Sequence, residues 1–122
     1  MLNYKIKYIE FNGNVDDIVF DFGEGKDVLS MFLSSDVTPF EEWMKESFDD
    51  VLSGKIGTKT VDGNVCSAEI SPTNTKIFDM LVEDEGEYYS TCCEVNTKEL
   101  RQVIDEWCDE VRKFKDKKKN NQ

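Results

Sequence analysis

The chain has 122 residues, with 15 Lys and Arg against 26 Asp and Glu, a formal charge of −11, and no His. That length suits one domain able to bury a core without disulfides or a structural metal, and Leu, Ile, Val and Phe supply 32 of the residues, above the roughly 20% below which chains stay disordered. No apolar run reaches the ~20 residues of a membrane helix, and the alternating start is not the apolar block of a signal peptide, so a cytoplasmic globular protein is expected.

Residues 2–11 place Leu2, Tyr4, Ile6 and Tyr8 on one side and Asn3, Lys5 and Lys7 on the other, the period of a half-buried strand. Asn12-Gly13-Asn14 predicts a turn, and residues 17–22 a second strand with Ile18, Phe20 and Phe22 inward. After Gly23-Glu24-Gly25, the apolar run Val28 to Leu33 predicts a third strand, closing an antiparallel meander. A helix follows, with Thr38 as N-cap, Pro39 at the first helical position and Glu41 reaching back. Its apolar residues are Phe40, Trp43, Met44, Phe48 and Val51, and Gly54 lies past its end.

Further strands are expected at 56–61, Val65–Ile70, Lys76–Val82 and Tyr88–Val95, the last two joined by the acidic turn Glu83-Asp84-Glu85-Gly86-Glu87. A second helix starts at Asn96 or Thr97, with Asn96 capping toward Glu99 and a stripe of Leu100, Val103, Ile104, Trp107, Val111 and Phe114. The expectation is one α+β domain over 1–114, a mainly antiparallel sheet of six or seven strands carrying two amphipathic helices, with a disordered Lys-rich tail at 115–122.

Charge narrows the function. Residues 112–122 hold six Lys or Arg and one acid, which leaves residues 1–111 at −16. Such a surface repels nucleic-acid backbones and anionic membranes and attracts basic partners over a screening length of ~8–10 Å. Without His, the usual general base and the commonest zinc ligand are missing. Cys66, Cys92, Cys93 and Cys108 lack the C-x2-C spacing of a zinc site and are expected as free, buried thiols. The 83–87 run lacks the alternating ligand pattern of a calcium hand. Neither enzymatic activity, a catalytic residue, a metal nor a cofactor is expected.

The acidic surfaces point to a partner. Glu42, Glu46 and Asp50 form an i, i+4, i+8 row with Asp49 beside it, and each like-charge pair costs a helix ~0.2–0.5 kcal/mol. A self-repelling row suits a cationic partner that uses it for steering and pairing. Glu42, Glu46, Asp49, Asp50, Glu83, Asp84, Glu85 and Glu87 are therefore the candidate partner-binding residues, with Tyr88 and Tyr89 flanking the acidic turn.

A small, acidic α+β chain in which Tyr88–Val95 runs into the Asn96–Phe114 helix, with Lys98-Glu99-Leu100 and Val103-Ile104-Asp105-Glu106-Trp107 at its centre, resembles the bacterial immunity proteins of contact-dependent growth inhibition and related polymorphic toxin systems. The resemblance is one of layout and covers most of the chain. It implies a protein that binds one toxin domain, commonly a basic nuclease, and blocks its active or an essential surface. An acidic adaptor domain of another cellular protein and a nucleic-acid-mimicking inhibitor remain alternatives with the same composition.

Overall fold

The computed structural model describes residues 2–80 and 92–120. Its elements, in chain order, are β1 (Lys5–Phe11), β2 (Asn14–Asp21), α1 (Asp27–Phe32), a π-helical turn (Leu33–Val37), α2 (Glu41–Leu52), β3 (Lys59–Asp62), β4 (Cys66–Ile70), β5 (Asn74–Asp79), β6 (Cys92–Asn96) and α3 (Thr97–Asn120). The strands form two antiparallel sheets, a β1-β2 hairpin and a four-stranded meander in the order β3-β4-β5-β6. No helix among the described residues is long and apolar enough to cross a membrane.

The hairpin turns at Asn12 and Gly13, with φ of 53° and 81°. Two consecutive positive φ values define the two-residue turn that matches strand twist, and Asn-Gly is its preferred sequence. Phe11 and Asn14 are accordingly the last pair, and the register shifts once, between Ile9 and Glu10.

One sheet of six or seven strands was the expectation, and two sheets are found because the expected third strand is a helix. Val28, Leu29, Phe32 and Leu33 are all fully buried, a spacing of i, i+1, i+4 and i+5 that only a helix gathers on one face. As a strand, the same residues would point alternately to two sides. A six-residue apolar run does not distinguish these periods by itself. The helix separates β2 from the rest of the sheet, and α1 and α3 each touch β2 on one side and β5 and β6 on the other. The core is thus an inner helical layer between a hairpin and a meander.

The hairpin is held by aromatic packing at its base. Phe20 stacks on Tyr4 with centroids 3.9 Å apart and meets Trp107 edge-on at 5.0 Å, while the Tyr4 hydroxyl donates to Glu106 at 2.7 Å. In α3 the expected stripe is inward: Leu100, Val103, Ile104 and Trp107 are buried, and Val111 and Phe114 pack partly against them. The Glu99 N–H donates to the Asn96 side chain at 2.9 Å, the N-cap geometry. The helix continues to Asn120, so the segment expected as a disordered tail is helical from 115 to 120.

Asp36, in the π-helical turn, is completely buried. Its carboxylate accepts the backbone N–H groups of Asn64 at 2.5 Å, Val65 at 3.1 Å and Cys66 at 2.7 Å. It therefore fills the donor-lined concavity of the β3–β4 turn, and a Cβ on Gly63 would overlap the Asp36 side chain. On the other side of the same segment, the Thr38 hydroxyl donates to the Leu33 carbonyl at 3.1 Å and accepts the Trp107 indole N–H at 2.9 Å. Thr38 thus ties α3 to the approach to α2 and does not cap it. The helix instead begins at Glu41, without a side-chain cap.

Removing the Asp36 carboxylate strands three buried or half-buried donors. Asp36→Ala is expected to destabilise the fold by about 3 kcal/mol or more, and Asp36→Asn, which keeps one acceptor, by roughly half of that. Urea unfolding of both variants checks the order: equal midpoints for wild type and Asp36→Ala would remove Asp36 from this role.

Candidate functional site

Helix α2 presents different chemistry on each flank. Its buried stripe is Met44, Ser47, Phe48 and Val51, and the Ser47 hydroxyl is satisfied by donating to the Trp43 carbonyl at 2.8 Å. On the flank toward α3, Glu41 accepts Lys45 at 2.8 Å and also pairs with Arg112. Lys45 lies 3.5 Å from Asp105, which pairs with Arg101 at 2.8 Å, and Arg101 reaches Asp49 at 2.8 Å. This alternating chain of charges runs the length of the α2–α3 contact. The hydrogen bond from Lys45, reinforced by Arg112, holds the Glu41 carboxyl below the ordinary glutamate range, and the same bond raises Lys45.

The outer flank is different. Glu42 and Glu46 are exposed, stand one turn apart, and form no ion pair or hydrogen bond among the described residues. Two aromatic side chains stand beside them. Phe40 is 37% exposed and Trp43 is 41% exposed, and their rings meet edge-to-face at 5.8 Å. With Thr38, Pro39, Glu41, Glu42 and Arg112 they border an open concavity of about 420 Å³.

The candidate residues therefore divide. Glu42 and Glu46 point outward and are unpaired among the described residues. Asp49 is exposed but engaged by Arg101, and Asp50 is half-buried with Lys55 3.9 Å away. Glu83, Asp84, Glu85 and Glu87, with Tyr88 and Tyr89, lie outside the described residues. Phe40 and Trp43, read from the sequence as part of the buried stripe, are the residues that reading missed. The signal was present: at 100° per residue Trp43 lies about 90° from the centre of the Met44-Ser47-Phe48-Val51 stripe. Phe40 precedes the helix, with φ −120° and ψ 36°, so helical spacing did not apply to it. On α3, Asp109 pairs with Arg112 at 3.3 Å and Lys113 with Glu110 at 3.5 Å.

Cys66 and Cys108 behave as small hydrophobes. Burial pushes the Cys66 thiol up to about 12 and the Cys108 thiol up to about 11, which leaves both protonated and unreactive near neutral pH. What the α2 flank can do is bind: it offers two carboxylates without an ion-pair partner among the described residues for cationic groups, and two aromatic faces for apolar or guanidinium contact.

Comparison with known proteins supplies one relative. A protein of Bacillus cereus named "Immunity protein" is 36% identical over 89 residues, which is 72% of this chain and 73% of the relative. No family model matches the chain, and no solved structure matches it.

The Glu41 network carries a pH signature. Its carboxyl is depressed in the folded state, so its stabilisation is complete above the ordinary glutamate value of about 4.3 and is lost as pH falls through the lower folded value. Glu41→Gln is expected to cost about 1 kcal/mol at pH 7, with the difference from wild type closing below pH ~4. Thermal melts from pH 7 to 3 check this; a constant difference across that range would contradict it.

Proposed function

The chain belongs to the immunity-protein family of its Bacillus cereus relative, and from that premise we propose that it neutralises one cognate toxin domain, a basic nuclease, by covering its active or an essential surface with α2. Its role is that of a non-enzymatic inhibitor, acting in the cytoplasm of the cell that must be protected, within a contact-dependent or related polymorphic toxin system.

The observation that supports α2 as the contact is the outer flank itself. Glu42 and Glu46 repel each other and have no compensating cation among the described residues; in a complex, Lys and Arg side chains that hold substrate phosphates would compensate them. Phe40 and Trp43 supply the desolvated anchors that carry most binding energy at interfaces. The carboxylates of Glu83, Asp84, Glu85 and Glu87 join this proposal through their charge, and Asp49 and Asp50 extend the row toward the end of the helix. Occlusion by acids also accounts for the −11 charge, which speeds encounter with a basic toxin and discourages the inhibitor from binding the nucleic acid itself.

The test is affinity capture from the source organism with elution in salt steps. A stoichiometric basic protein, released as salt rises and toxic when expressed without this chain, is the expected result. Trp43→Ala is expected to weaken that complex by 2 kcal/mol or more, roughly 30-fold in Kd. Glu42→Lys combined with Glu46→Lys should slow association about tenfold or more at low salt, the deficit shrinking as salt rises. A captured partner that is acidic, or that stays bound regardless of salt with both variants intact, would overturn occlusion by α2 and favour an adaptor role.

A further inference from the structure

The exposed aromatic side chains among the described residues are Tyr8, Phe11, Phe40 and Trp43. Tyr8 and Phe11 stand three residues apart in β1, on opposite faces of the hairpin, so no one group can touch both. Phe40 and Trp43 instead border a single concavity, in company with Glu41, Glu42 and Arg112. Their rings meet at 85° with centroids 5.8 Å apart. That edge-on contact leaves ring face uncovered, and the negative face of an aromatic ring attracts a cation within about 6 Å.

The charges around the concavity specify its occupant. Glu41 and Arg112 pair with each other, Arg112 also reaches Asp109 at 3.3 Å, and Glu41 accepts Lys45 at 2.8 Å. The Arg112 guanidinium is thereby committed to acids other than Glu42. Glu42 is the lining carboxylate that has no ion pair among the described residues. Two carboxylates against one guanidinium leave the lining with one excess negative charge beside two rings, which matches a single cation with a flat or apolar body. The volume of about 420 Å³ is at the small end of ligand sites, roughly 300–1000 Å³, and suits one side chain better than a helix or a strand.

Arginine fits this lining and lysine does not. A guanidinium is planar and weakly hydrated, so it can lie along a ring face while its in-plane N–H groups donate to a carboxylate. An ammonium is a compact, strongly hydrated charge with no face to stack. The walls are also fixed before anything binds. The Thr38 hydroxyl on the rim is held by the Leu33 carbonyl and the Trp107 indole, and the Glu41–Arg112 pair ties the rim to α3. Preformed walls lower the ordering cost of binding. Glu46, one turn beyond Glu42, is not part of the lining.

We infer that this concavity is an arginine pocket: one arginine side chain of the toxin enters it, stacks on Trp43 and donates to the Glu42 carboxylate. The inference rests on α2 being the toxin contact. It gives the two outward acids unequal duties, with Glu42 holding the bound arginine and Glu46 attracting the toxin from a distance.

Nuclear magnetic resonance of the full chain, following the Trp43 indole N–H during titration with Nα-acetyl-arginine amide and separately with Nα-acetyl-lysine amide, tests the pocket without the toxin. The expected shift with the arginine amide is about threefold or more larger than with the lysine amide at equal concentration. It is lost in Glu42→Gln and kept in Glu46→Gln. Equal responses to the two amides, no response, or an arginine response that survives Glu42→Gln would overturn the pocket. Toxin binding distinguishes that failure from failure of the α2 contact. If only the pocket is wrong, Trp43→Ala still weakens the toxin complex; if Trp43→Ala binds the toxin as wild type does, the contact and the pocket's part in it are both overturned.

Discussion

The buried carboxylate of Asp36 fixes the geometry on which the rest depends. It sits in a short π-helical turn between two helices, and the three N–H groups it accepts belong to the β3–β4 turn, some 30 residues later in the chain. One side chain therefore locks the start of α2 to the meander. A buried charge is tolerable only when its hydrogen bonds replace the lost water, and three convergent backbone donors do so here. The adjacent Thr38 receives the Trp107 indole N–H, and Trp107 in turn packs against Phe20 of the hairpin. Within three residues the segment is thus joined to both sheets and to α3. The orientation of α2, and with it the direction in which Phe40, Glu42, Trp43 and Glu46 face, follows from that junction.

On this frame, the acidity of the chain sorts into two uses. Where α2 faces α3, acids and bases alternate, and the pairs hold two helices whose own surfaces would otherwise repel. Half-exposed ion pairs contribute modestly one by one, and their value lies in a network that fixes register. Where α2 faces outward, the acids have no ion-pair partner among the described residues and stand beside aromatic rings. That arrangement costs a few tenths of a kcal/mol of helix stability, which the proposed toxin contact would offset. In the proposed complex, electrostatic attraction would govern how fast the toxin is caught and the aromatic anchors how long it is held.

The elements legible in the sequence were those with long, unambiguous periods. The α3 stripe, its Asn96 cap, the Asn12-Gly13 turn and the strands around residues 5–21 and 66–79 follow from alternation or helical spacing. The run Val28–Leu33 was not legible, because six apolar residues fit a buried strand and a buried helix equally well, and the choice was made by tertiary packing between two sheets. The Thr38-Pro39-x-Glu41 signature is a good N-cap pattern locally, yet the Thr38 hydroxyl found a stronger use against Trp107. For the site, the outward acids on α2 could be read from a helical wheel. Which of them are uncompensated depends on Arg101 and Arg112, whose approach from α3 is a tertiary fact. Asp36 was invisible for the same reason: nothing near it in sequence shows that three N–H groups from residues 64–66 will surround it.

The proposed toxin contact is the outer flank of α2. Hydroxyl-radical footprinting of the captured complex tests it most directly, because aromatic side chains on the two exposed surfaces report separately. Adding the toxin is expected to protect Trp43 and Phe40 from oxidation and to leave the reactivity of Tyr8 and Phe11 unchanged. Protection of Tyr8 and Phe11 with Trp43 and Phe40 left as reactive as in the free protein would contradict it.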